Sequence, residues 1–83
     1  MRFLHLRKNG NKGGLTIGYV LDEMAGRAVV TVAQCSRKDN YDRKKGKLIC
    51  ENRYEFGTGW LVPVDVENIE GSIACEVIRR LRS

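Results

Sequence analysis

In 83 residues the chain has one histidine, one proline and one tryptophan, and its three cysteines never form a C-x-x-C pair. Each scarcity closes a class of function. A zinc site would have to use His5 with Cys35, Cys50 and Cys75, whose wide spacing matches no common zinc arrangement. The null expectation is three small thiols on strand and helix faces, with no metal. An odd, sparse cysteine set also speaks against a disulfide-stapled secreted domain, so reduced thiols and a cytoplasmic location are expected. No apolar run reaches the roughly 18 residues a membrane helix needs, and the amino terminus carries Arg2 and Arg7 without a signal-peptide core. The glycine-rich stretch K-N-G-N-K-G-G, residues 8–14, fits neither G-x-x-x-x-G-K-[ST] nor G-x-G-x-x-G. A strand rather than a helix is predicted after it, so the phosphate-cradling mechanism fails and the stretch reads as a hairpin loop.

Catalysis has little to build on. A Cys–His pair of Cys35 or Cys50 with His5 would need the fold to bring the only histidine beside a thiolate. The carboxylate pairs Asp22/Glu23 and Glu67/Glu70 fall in predicted turns or exposed faces. With no nucleophile–base constellation and little room for a deep cavity, the expectation is a non-enzyme without a cofactor.

What is present is a small mixed domain. A chain of this length buries only about 60–65% of its unfolded surface, enough for one core spanning residues 1–83. Self-association into a homodimer would add the apolar area so short a chain lacks. Hydrophobic residues make up 42% and charged residues 30%, ordinary for a folded domain. The net charge of +5 is unevenly placed. Residues 1–14 hold four basic residues and no acidic one. Residues 37–47 hold six basic against two acidic, and residues 48–71 hold five acidic against Arg53 alone. Such segregation permits an anionic partner without demanding one.

Periodicity sets the elements. Phe3–Leu6 is a short apolar strand. Leu15, Ile17, Tyr19 and Leu21 alternate with Thr16, Gly18, Val20 and Asp22, the pattern of a half-buried strand. Asp22–Gly26 reads as a turn, with Gly26 free to take positive φ. Arg27–Cys35, apolar on both faces and rich in β-branched residues, is the predicted central strand. Short connections make these three an antiparallel meander.

Asp39 is a candidate N-cap, with Asp42 completing a weak capping box. Tyr41, Leu48 and Ile49 then share a helical face, Gly46 costs about 1 kcal/mol, and Asn52 can stop the helix. A strand from Leu48, with Cys50, Tyr54 and Phe56 on one side, competes for residues 47–56. Gly57-Thr58-Gly59 breaks the chain. Trp60, Val62, Val64 and Val66 alternate, and Pro63 suits a sheet edge. Ile69, Ile73, Val77 and Leu81 form a helical stripe, with Glu76 placed to pair with Arg79 and Arg80. Gly71 weakens the first turn, which places the start near Ser72; a strand over residues 72–81 is the alternative. The predicted class is α+β: an antiparallel meander of about three strands, a central helix and a C-terminal amphipathic helix.

The basic segment is the candidate site. Arg37, Lys38, Arg43, Lys44 and Lys47 can grip phosphates, and Tyr41 offers a stacking face for a base. The same residues read equally as a solvated helix face with Tyr41 anchored in the core. The acidic stretch from Glu51 to Glu70, with Tyr54, Phe56 and Trp60, is a second candidate surface, for protein. The only tryptophan equally suits the core.

At Cys35–Arg53, C-S-R-K-D-N-Y-D-R-K-K-G-K-L-I-C-E-N-R, the chain resembles a segment of small bacteriophage and prophage proteins. That segment runs as Cys-Ser, a basic pair, Asp, an aromatic, basic residues with Gly, and an apolar patch before Arg. The Lys12–Ile17 stretch K-G-G-L-T-I fits the same pattern, so the resemblance covers residues 12–53. Lys45 departs from it, standing where an apolar helix residue is expected. The resemblance implies a phage-encoded accessory protein acting in the bacterial cytoplasm, and it transfers no catalytic or binding residue. Two functions follow as expectations. The first is a non-catalytic module that binds nucleic acid through residues 37–47. The second is an inhibitor or adaptor that binds a host defence or regulatory protein, through an acidic partner surface or an apolar groove.

Overall fold

A computed structural model describes the backbone of residues 1–9, 12–40 and 42–82, and the side-chain surroundings of residues 1–6, 13–35 and 42–82. It contains β1 (Arg2–Asn9), β2 (Lys12–Asp22), β3 (Arg27–Asn40), α1 (Arg43–Glu55), β4 (Trp60–Pro63) and α2 (Ile69–Arg82). The four strands form one antiparallel sheet in the order β1-β2-β3-β4. The α+β class is as the sequence predicts, with one strand more. Pro63 lies on the edge strand β4, where its missing N–H costs no ladder bond. None of the described helices is long and apolar enough to cross a membrane.

Register sorts the sheet into two unlike faces. Leu4, Ile17 and Val32 align across three strands, as do Tyr19, Val30 and Trp60, and Leu21, Ala28 and Val62. These rows pack on Ile73 and Val77 of α2 to make the main core. The opposite face carries small side chains: Thr16 opposite Ala33, and Gly18 opposite Thr31. α1 lies on that face through its buried residues Gly46 and Cys50. Because both faces are covered, β2 is buried at every residue from 13 to 19. This corrects the half-buried strand read from alternation: glycine and threonine count as polar in a pattern but can floor a helix contact.

Residues 43–55 form the expected helix rather than the competing strand, with both ends displaced. β3 runs on to Asn40, so Asp39 is strand rather than cap. Asp42 is the N-cap, its Oδ1 accepting from the N–H groups of Lys44 at 3.0 Å and Lys45 at 3.2 Å. Asn52 does not stop the helix. Termination falls at Phe56, where Gly57 N–H donates to the Tyr54 carbonyl and Thr58 N–H to that of Arg53. Gly57, at φ +71, supplies the left-handed residue this closure requires. The predicted apolar face is also revised: Leu48 is 58% exposed, while Gly46 and Cys50 face the sheet. Lys45, the departure from the phage pattern, simply points to solvent.

The other boundaries shift less. Gly26 takes positive φ in the expected turn. Residues 8–14, read as a loop, are mostly strand: β1 reaches Asn9 and β2 starts at Lys12, with a register shift between Lys12 and Gly14. α2 starts at Ile69 rather than Ser72, because Asn68 Oδ1 accepts from Gly71 N–H and holds the first turn. Glu76 pairs with Arg79 and Arg80 as its spacing predicts. Trp60 is half-buried against the core, with Arg80 over its ring at 5.7 Å.

Candidate nucleic-acid interface

The local sequence places cations where a helix disfavours them. The first turn of α1 has no acidic residue, and Arg43, Lys44 and Lys45 stand exposed at the positive end of its dipole. Opposing the dipole is a term of about 0.3–1 kcal/mol per exposed charge. Among the described residues, Arg43, Lys44, Lys45 and Lys47 form no ion pair. By contrast, Arg79 and Arg80 hold Glu76, and Arg53 donates to the Val32 carbonyl.

Tertiary structure adds a neighbour that spacing does not announce. α1 crosses the sheet with its start over β1, so that Lys47 Nζ lies 5.4 Å from the centre of the Phe3 ring. An open depression along the free edge of β1 is lined by Arg2, Phe3 and His5, by Tyr19 of β2, by Arg43 and Lys47 of α1, and by Glu70 of α2. His5 Nδ1 lies 3.4 Å from the Thr16 hydroxyl, a contact that holds the ring against β2. The depression therefore combines three cations, a histidine and the rings of Phe3 and Tyr19 with a single carboxylate.

The expected site residues divide three ways. Arg43, Lys44 and Lys47 are exposed on the first turns of α1, and two of them reach the depression. Arg37 and Lys38 belong to the far end of β3, beyond Cys35, which pairs with Gly14. Their side chains, and Tyr41 altogether, lie outside the described residues. The same register brings Arg7 opposite Gly14 and Asn40 opposite Lys12. The basic residues 7, 8 and 12 thus sit on strand ends adjoining 37 and 38. Arg2, Phe3 and His5 were not among the expected site residues. The four basic residues of 1–14 were a signal, but only register ties them to residues 37–47.

The cysteines are spread out: Cys35 on β3, Cys50 beneath α1 and Cys75 exposed on α2. Among the described residues no three His, Cys, Asp or Glu side chains gather as metal ligands would. Burial pushes the Cys50 thiol above its ordinary value, which disfavours the thiolate there. No protein-family model, curated protein or solved structure matches this chain, so the reading of the site rests on its own geometry.

Proposed function

We propose that this chain is a non-catalytic binding module, encoded by a phage, that engages nucleic acid in the bacterial cytoplasm through residues 37–47. The observation that carries the reading is the set of cations Arg43, Lys44, Lys45 and Lys47 on the first turns of α1, against the helix dipole and in no ion pair among the described residues. A protein gains nothing in stability from that arrangement, whereas a polyphosphate backbone neutralises it and releases counterions. By backbone register the basic residues 7, 8, 12, 37 and 38 fall on adjoining strand ends. Phosphate contacts would give affinity without base specificity.

Fluorescence anisotropy of labelled single- and double-stranded oligonucleotides across a salt series tests this. Micromolar binding that weakens steeply with salt is expected. Reversing charge at Arg43, Lys44 and Lys47 together should abolish it; unchanged affinity in that variant sinks the proposal.

A second reading is a protein inhibitor or adaptor acting on a host defence or regulatory protein. It is favoured by apolar side chains left open beside α1: Phe56 is 82% exposed, and Leu61 is 53% exposed next to half-buried Val29. A stoichiometric protein partner that survives nuclease treatment of a bacterial lysate would favour it.

A further inference from the structure

We infer that the depression at the free edge of β1 is a single-strand site, in which one unpaired base lies against Phe3 while its phosphate is held by Arg43 and Lys47. The inference rests on the nucleic-acid reading above and names the form of nucleic acid and the residues that receive it. Three observations carry it. First, the inner side of α1 is pinned to the sheet, which fixes where its basic first turns stand. A Cβ on Gly46 would stand 2.3 Å from Thr16 Oγ1, and the Cys50 thiol donates to the Thr16 carbonyl at 3.4 Å. Arg43 and Lys47 of those turns border the depression.

Second, the depression holds the Phe3 ring beside the cations, with buried Tyr19 on the sheet's other face, and a ring stacks on a nucleic-acid base only where that base has left its own stack. Phe3 already attracts the Lys47 ammonium over its face. On binding, that ammonium exchanges the ring for a phosphate and frees the face for the base. Third, the charges are arranged with a sense. Arg43 and Lys47 come from the helix on the Phe3 side of the sheet, whereas Glu70 comes from the helix on the other side, where register also places Arg2 and Tyr19. Its carboxylate repels phosphate, which leaves the α1 side as the phosphate position.

The test is anisotropy with a labelled oligothymidylate and, separately, the same strand paired with oligoadenylate, on the full chain. The single strand should bind about tenfold or more tightly than the duplex at equal salt, a gap of roughly 1.4 kcal/mol. Phe3→Leu should weaken single-strand binding about fivefold or more without changing the salt slope, and Phe3→Tyr should restore it. Arg43→Ala should lower the slope of log affinity against log salt by about 0.7, one phosphate contact. Circular dichroism melts establish that each variant is folded. Equal binding of duplex and single strand, with Phe3→Leu silent, overturns the single-strand site. If charge reversal of Arg43, Lys44 and Lys47 still abolishes binding in that case, the broader nucleic-acid reading stands alone. Absence of binding to either oligonucleotide at low salt overturns both.

Discussion

The two helices cover opposite faces of one sheet by different means. α2 stands on large branched side chains: Ile73 and Val77 interlock with Ile17, Val30 and Val62, all without solvent exposure. α1 lies on a floor of small residues, with Gly46 against Thr16 and Cys50 against Gly18. Its seam is also hydrogen-bonded. The Thr31 hydroxyl donates to the Cys50 carbonyl at 3.0 Å, and the Cys50 thiol donates to the carbonyls of Thr16 and Thr31. A wide apolar interface gains from volume, so it fails when atoms are removed. A close interface gains from approach, so it fails when atoms are added. The difference bears on function, because α1 carries the basic turns and its close seat holds them at the edge of β1.

The largest expected effect lies on the α2 side. Ile73→Ala should cost about 2–5 kcal/mol, read as a lower midpoint in urea unfolding with the slope unchanged. A smaller loss would mean that α2 collapses into the cavity and that its packing is looser than the buried Ile73 and Val77 indicate. On the α1 side the sign of the volume change reverses. Gly46→Ala should cost about 1–3 kcal/mol, although the same change in a free helix would gain about 1 kcal/mol. Thr16→Ala in the same chain should recover part of that loss, because the added methyl group meets the Thr16 side chain. Additive losses would show that the two groups do not touch.

The smallest effects concern the thiols. Exposed Cys75 should react with iodoacetamide in the folded protein, while Cys50 should stay protected until unfolding, with peptide mass mapping as the readout. Burial raises the Cys50 value above the ordinary 9.0, so the folded state holds the thiol proton more tightly than the unfolded chain does. That contribution to stability is fully present below the ordinary value and is lost as pH rises above it. Urea midpoints should therefore fall modestly between about pH 8 and pH 10, and Cys50→Ala should remove this pH dependence. Rapid labelling of Cys50 under native conditions would contradict the close seating of α1.

Much of the candidate site was legible as charge. The run from Arg37 to Lys47 stands out in the sequence, and α1 does present Arg43, Lys44 and Lys47 to solvent. Its helix start was misplaced from Asp42 to Asp39, because either aspartate satisfies a capping pattern and only the reach of β3 chooses between them. Phe3 and His5 stayed hidden as site residues, since nothing in a short apolar strand tells which helix will border it.

The sequence by itself determined the strands Phe3–Leu6, Leu15–Leu21 and Arg27–Cys35, the turn at Gly26 and the stripe of α2. These follow from local periodicity and from a glycine needed at positive φ. Only the tertiary structure decided that Gly46 is a point of contact rather than a weakness, and that Thr16, Gly18 and Thr31 are buried. It also decided that cations from opposite parts of the chain meet at one edge. The reason is physical: periodicity records which side chains avoid water, whereas close approach and shared charge depend on which surfaces meet across the sheet.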